Sequence, residues 1–358
     1  DGTCTANITN NLSNRNLIIN GAMQVAQRGT SSSSANFASV DRMKLSVTNT
    51  DQIAWLQKQS DDAPDGFQKS WEFDVTTAET SLDADDLVYM RYAVESQDLT
   101  PFFNANGTGK DFVLSFYVKA YQTGTYQISI FQLSNSSRFI TKTYTIAQSG
   151  VWQRIELAFT GDTNQSGFSA DNTLGFQIAF QLMAGSNYTS GGQVSNWGSF
   201  GNSNFAAGQA VNVGSSTDNY WKITGIQLEL DQGSGKATDF EHRSYQDEYL
   251  RCCRYFYHAN NQHFFIGRGN GSTAVTTFLE TQVPLRNTPS VTLTGNLRHY
   301  GIDSYSDSST TPTVPSFRAN QKGIRLNQSG HSGVNDDCVL TMQCSGSDGQ
   351  GIFLDAEL

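Results

Sequence analysis

Residues 111–133 read DFVLSFYVKAYQTGTYQISIFQL. In the first half Leu114, Phe116 and Val118 share one face, and Val113, Ser115, Tyr117 and Lys119 share the other. In the second half Tyr126, Ile128 and Ile130 alternate with Gln127, Ser129 and Phe131. A period of two marks a strand, because successive side chains point to opposite faces of a sheet. Gly124 closes the intervening YQTG and supplies the backbone freedom a tight turn needs. The segment therefore predicts an antiparallel hairpin.

The pattern continues outward at 137–146 (SRFITKTYTI), 151–159 (VWQRIELAF), 174–183 (LGFQIAFQLM) and 220–230 (YWKITGIQLEL). Short strands at this spacing, joined by Gly-, Ser- and Asn-rich loops, predict an all-β antiparallel sandwich. Residues 185–219 read as long loops between two of its strands. The one helix signal is short: Ser244 and Asp247 resemble a capping box leading into EYLRC, which places a helix at 244–251. Beyond it, strands are expected at 264–266, 274–283, 291–294, 323–326, 338–344 and 352–357. They form a second, smaller β-sandwich domain over 252–358. The stretch SYSDSSTTPTVP at 304–315 reads as an exposed loop. No fixed-period repeat is present.

A length of 358 residues favours two domains over one core. Charged residues are 16% and aromatics 11%, so the chain can build cores while its surface stays polar but weakly charged. The net charge is −10, with no Lys/Arg cluster, which argues against nucleic acid and anionic membranes as partners. No apolar run is long enough for membrane insertion as a helix. Asp1 in place of Met points to processing or trimming upstream. Residues 1–15, an N-terminal arm, lack the apolar core of a signal peptide. Five cysteines (Cys4, Cys252, Cys253, Cys338, Cys344) at irregular spacing read as reduced thiols of a protein made in a cytoplasm, without zinc spacing.

Catalytic patterns are absent. There is no nucleophile elbow, no H-E-x-x-H, no phosphate loop and no dinucleotide fingerprint. No enzyme is expected and no catalytic residue is assigned. The run GRGNG at 267–271 reads as a hairpin turn. Asp83, Asp85 and Asp86 look like a calcium loop but lack its Gly and distal Glu, so a solvated acidic turn is the better reading. His258 and His263 are close enough to meet across a hairpin, with packing or surface roles favoured. Trp152 and Trp221 are expected in the core, and Trp55 and Trp71 could be either core or surface. Trp197 lies in the polar loop GGQVSNWGSFGNSNF with Phe200 and Phe205. These three rings are the candidates for stacking on a sugar. The alternative is that the loop folds back and pins itself to the sandwich.

Two segments carry a resemblance. Residues 16–28 read NLIINGAMQVAQR, followed by Gly29-Thr30 and Asp41-Arg42; residues 223–256 read ITGIQLELDQGSGKATDFEHRSYQDEYLRCCRYF. Together, and with GIFLDAEL at 351–358, they resemble tail-fibre and related structural proteins of tailed bacteriophages. The layout is also similar to jelly-roll carbohydrate-binding modules of the calcium-containing kind. The resemblance implies a jelly-roll over 16–243, with residues 16–25 and 221–230 close together. It implies a virion protein of an external appendage, made in the host cytoplasm, a homotrimer with other virion proteins and a host surface glycan as partners. In such modules calcium is held by an acidic residue after the first Asn-Gly and by Asp on the last strand. Gln24 and Thr224-Gly225 stand there instead, so no metal or cofactor is expected, short of a calcium held by backbone carbonyls. Tyr249, Tyr255, Phe256 and Tyr257 are the candidates for an oligomer or domain contact. Glu241, His242 and Arg243 are expected to pair locally and set the angle of the next domain. A head fibre or capsid decoration without ligand is the alternative, and a glycan depolymerase ranks third.

Overall fold

The computed structural model describes residues 14–133, 138–164, 169–260, 262–271, 273–301, 306–310, 313–330, 334, 339–345 and 350–358. Cys4, Cys338, His331 and most of the N-terminal arm lie outside these residues. The chain forms two compact units, Asp1–Gln24 with Thr30–Ser244, and Val25–Gly29 with Tyr245–Leu358.

The first unit contains β1 (Ser31–Ser32), β2 (Lys44–Thr48), β3 (Ala54–Ser60), β4 (Ser70–Thr77), β5 (Leu87–Glu95) and β6 (Phe112–Ala120). It continues with β7 (Gly124–Gln132), β8 (Arg138–Ile146), β9 (Gln153–Phe159), β10 (Leu174–Ala184), α1 (Ser186–Thr189), β11 (Gly198–Ser199) and β12 (Tyr220–Leu230). They make two six-stranded antiparallel sheets, β1-β3-β4-β12-β6-β9 and β11-β8-β7-β10-β5-β2, a jelly-roll sandwich. The core lies where the alternation puts it. Trp71 and Phe73, Leu114 to Val118 on even positions, Trp221 and Ile223 come from the first sheet. Val88, Met90, Tyr126, Ile128, Ile178 and Phe180 come from the second.

Trp152 departs from the expectation. It precedes edge strand β9, is half-buried, and donates its indole N–H to Asp62 on the outer side of the first sheet. Alternation puts Trp152 on the outer face with Arg154 and Glu156, while Ile155, Leu157 and Phe159 of the same run face the core. Trp55 packs on the core from a half-buried position, and Trp71 is fully buried.

The segment before β1 lies along β12. Leu17 N–H donates to Leu228 O at 3.0 Å, and Ile226 N–H to Gly21 O at 3.0 Å. A Cβ on Gly21 would sit 2.3 Å from Ile226 O, so only glycine permits that approach. This explains the Asn-Gly of NLIINGAMQ. The β12 register slips between Thr224 and Gln227, and Gly225 there takes a φ of +62°.

The second unit contains α2 (Tyr245–Cys253), β13 (Phe256–Ala259), β14 (Phe264–Gly269), β15 (Ala274–Glu280), β16 (Ser290–Thr294) and β17 (Asn296–Gly301). It ends with β18 (Ser306–Thr310), β19 (Thr313–Asn320), β20 (Gly323–Ser329), β21 (Val339–Ser345) and β22 (Gly351–Asp355). Its sheets are β13-β22-β16 and β18-β17-β21-β14-β15-β20-β19, and their inner faces share one core that includes Tyr257, Phe265, Leu326 and Leu354. The Ser/Thr/Pro stretch read as a loop is instead largely strand: β18 pairs with β17, and β19 with β20. Ladder hydrogen bonding there overrides a composition that favours turns. Residues 267–271 do belong to a hairpin, with β14 paired to β15 and Asn270 N–H bonded to Ala274 O.

Candidate binding surfaces

The loop at 185–211 lies over the outer face of the β11-β8-β7-β10-β5-β2 sheet. That face carries Phe131 and Phe139, which form a separate apolar cluster with Leu87, Ala179 and Phe205. One backbone carbonyl gathers three of the contacts that hold the loop. Phe205 O accepts from Gln127 Nε2 at 2.7 Å, Ser129 Oγ at 2.7 Å and Gln181 Nε2 at 3.2 Å. The Phe205 ring is buried, 5.2 Å edge-on from Tyr89. Trp197 is half-buried; its indole N–H donates to Thr160 O at 2.6 Å and its ring stands 6.0 Å from Phe176. Phe200 rests on Phe131 and Phe139 yet remains 40% exposed. Of the three candidate rings, Phe205 and Trp197 are taken up by packing, and Phe200 offers a free face.

A cleft of about 330 Å³ opens in the same unit beside the first segment and the end of β12. Leu17, Phe102 and Leu230 supply apolar wall; Arg15, Gln232 and Asp239 supply polar edge. Arg15 is fixed by Thr238 Oγ1 at 2.8 Å and Asp239 O at 2.6 Å, with Glu229 3.6 Å away. Glu229 is fixed in turn by Thr238 N–H and by Gln227 Nε2, both at 2.8 Å. An apolar wall with a preset polar edge suits a small ligand that has both apolar and hydroxyl faces. Sequence reasoning missed this cleft because its walls come from residues 14–17, 101–102 and 229–239, which no local pattern connects. The predicted pairing of Glu241 and Arg243 is present at 3.6 Å, and Arg243 also donates to Ile18 O and Asn16 O.

The outer face of the first sheet is charged but internally neutralised. Asp62 accepts from Lys222 at 2.8 Å, Lys119 at 2.9 Å and Trp152 at 3.1 Å. Burial pushes its carboxyl up, but the hydrogen bonds from Lys222, Lys119 and Trp152 outweigh this and hold it down at about 2. Lys58 bonds Asp74 at 2.8 Å and lies 3.4 Å from Glu72.

In the second unit Tyr255, Phe256 and Tyr257 are buried and Tyr249 is half-buried, so of the oligomer or domain contact expected of them the three buried rings offer no face to another copy. The reason is cover on both sides of β13. The segment 25–29 joins this unit, with the Arg28 guanidinium 3.5 Å over the Phe256 ring and ion-paired to Asp355 and Glu357. Exposed apolar side chains of this unit include Phe264 (67%), Ile266 (66%) and Phe278 (54%), on the outward face of β14 and β15, with Ile266 opposite Phe278. His258 stacks on Phe353 at 4.4 Å, and His263 packs on Tyr257, so both are packing histidines. Both border a polar cavity of about 380 Å³. Burial raises the Cys344 thiol to about 11, which leaves it unreactive. Cys252 and Cys253 are buried and unbridged.

Among the described residues no three His, Cys, Asp or Glu side chains gather as a metal cluster. Among the same residues no helix is long and apolar enough to cross a membrane.

No family model matches the chain, and no curated protein does. Solved structures resemble it only distantly. The enzymatically active domain of bacteriophage CBA120 tailspike protein 4 is 15% identical over 61% of this chain, with a TM-score of 0.33. The match takes in 22% of that tailspike chain. A CBM4 structure is 10% identical over 59% of this chain and 98% of its own, with a TM-score of 0.31. The family 11 carbohydrate-binding module of cellulase Lic26A-Cel5E from Clostridium thermocellum is 13% identical over 56% and 95%, with a TM-score of 0.29. Similarity at this level transfers neither ligand nor activity to this chain.

Proposed function

We propose that the protein is a non-enzymatic, glycan-binding structural component of a bacteriophage particle, of the tail-fibre kind. The observation that carries the binding reading is the cleft at Arg15, Leu17, Phe102 and Asp239, whose apolar wall and fixed polar edge fit a pyranose. Its volume is at the small end for ligand sites, which suits one or two sugar rings. Phe200 is a second, separate ring on which a sugar can stack. Weak single contacts of this kind gain strength from repeated copies. The apolar row Phe264, Ile266 and Phe278 supports self-association, because a monomer gains nothing by exposing it. The virion assignment and the trimer rest on the resemblance of residues 16–28 and 223–256 to tail-fibre proteins.

One observation favours the architectural alternative, a decoration protein without ligand. Most of the aromatic surface of the 185–211 loop is spent on covering its own sheet.

The test is staining of intact bacteria and a glycan array with fluorescently labelled protein, beside Asp239→Ala and Phe200→Ala. Both residues are exposed, so both variants are expected to fold. Wild-type binding that falls tenfold or so in Asp239→Ala supports the cleft. Absence of wild-type binding to every strain and glycan moves the architectural reading ahead.

A further inference from the structure

The connection between β4 and β5 buries two carboxylates without a neutralising cation. Glu79 and Asp86 are both fully buried. Glu79 Oε2 accepts from Gln52 N–H at 3.1 Å, and Asp86 Oδ2 from Asp83 N–H at 2.8 Å. The other oxygen of each, Glu79 Oε1 and Asp86 Oδ1, is buried and receives no donor among the described residues. Asn212 Oδ1 is a third buried oxygen without a donor. It belongs to the same place: Asn212 Nδ2 donates to Glu79 O at 3.3 Å, and Glu79 N–H to Gly214 O at 2.7 Å.

The surroundings add negative charge. Asp51, Asp83 and Asp85 stand exposed around the pair. Among the described residues no Lys or Arg pairs with any of these five acids. Burial holds the Asp86 carboxyl above the usual range, and the charges of Glu79, Asp83 and Asp51 push it further. A buried carboxylate is costly unless paired, and two within reach of each other cost more. A water can donate to these oxygens but leaves their charge in place; a cation from solution or a proton removes it.

We propose that Glu79, Asp86 and Asn212 hold a calcium ion that fastens the β4–β5 connection to the turn at 212–215. Two carboxylate oxygens and an amide oxygen are hard donors of the type calcium takes, and water completes its six to eight ligands. Donors from two separate segments suit calcium's adaptable coordination better than the strict octahedron of magnesium. Asp51, Asp83 and Asp85 draw the ion in. The site is remote in sequence from Gln24 and Thr224, where the calcium-containing modules would carry theirs.

Calorimetric titration of chelator-treated protein with calcium chloride tests this, together with thermal unfolding in calcium and in EGTA. The expected result is about one ion per chain and a higher unfolding midpoint in calcium, with a weaker response to magnesium. The near-isosteric Glu79→Gln and Asp86→Asn each abolish the calcium response. The wild-type titration stands alone if a variant does not fold. No calcium heat and no midpoint shift in the wild type overturns the proposal. Calcium binding that survives in both folded variants overturns it as well, because the ion then sits elsewhere.

Discussion

Asn16 Oδ1 accepts a hydrogen bond from Leu228 N–H at 3.0 Å, across a sequence separation of 212 residues. The same oxygen accepts from Ile18 N–H at 2.9 Å, and Asn16 Nδ2 donates to Ile226 O at 3.1 Å. One buried amide thus stands in for the ladder where the β12 register slips. Removing it leaves a donor and an acceptor of β12 unpaired in the interior. Asn16→Ala is expected to destabilise the first unit by about 3 kcal/mol, measured as a lower urea midpoint at unchanged slope.

Gly21→Ala is expected to cost at least as much as a core truncation, on the order of 2–4 kcal/mol. The added methyl meets Ile226 O, a backbone atom that cannot swing away. Loss of soluble yield or a large drop in unfolding midpoint checks it; a neutral result would mean that the first segment does not lie on β12.

The two phenylalanines of the 185–211 loop are expected to separate stability from binding. Phe205→Ala removes a buried ring and is expected to cost about 3 kcal/mol. Phe200→Ala removes a partly exposed ring, costs about 1 kcal/mol or less, and weakens glycan stacking. Paired urea melts and glycan titrations distinguish them.

Asp62 makes stability depend on acid in a defined window. Its folded value of about 2 lies below the ordinary 3.8, so its contribution is complete above 3.8 and is lost as pH falls toward 2. The stability difference between wild type and Asp62→Asn is therefore expected to be constant from neutral pH to about 4 and to shrink below it. Thermal melts across that range check the sign. A difference that persists undiminished at pH 2 would rule out the Lys119–Lys222–Trp152 arrangement as its source.

Phe264→Ser together with Ile266→Thr is expected to weaken self-association without unfolding the second unit, since both side chains point outward. Sedimentation velocity of the full chain reads the result. Unchanged mass in the double variant would leave that face without a role in assembly.

The strands with clean alternation were legible. Residues 111–120, 125–133 and 220–230 form β6, β7 and β12, with Leu114, Phe116, Tyr126 and Ile128 in the core. Alternation reports that one face is buried, and here both faces of the second sheet are. Phe131 and Phe139 sit on the face that pattern marks as outer, and only the tertiary path of the loop covers them. The same blindness explains the loop rings: composition shows Trp197, Phe200 and Phe205 in a polar context but not the sheet beneath. Strand β18 was missed because Ser and Thr satisfy a ladder as readily as a turn. The acids at 83–86 drew attention locally, but their buried partner Glu79 and the amide of Asn212 are contributed by other segments.

The triple acceptance at Phe205 O fixes the 185–211 loop through an atom that every residue type carries. The three donors, Gln127, Ser129 and Gln181, belong to the sheet. The scaffold grips the main chain again at Val194 O, which accepts from Thr141 N–H, and at Gly198–Ser199, which pairs with β8, so much of the path of the loop is set through backbone atoms. Such an arrangement separates heritable framework from exchangeable display. Exposed tip positions such as Ser195 and Asn196 can be diversified, by selection or in a library, while residues 127, 129, 181 and the anchored rings at 197 and 205 are kept.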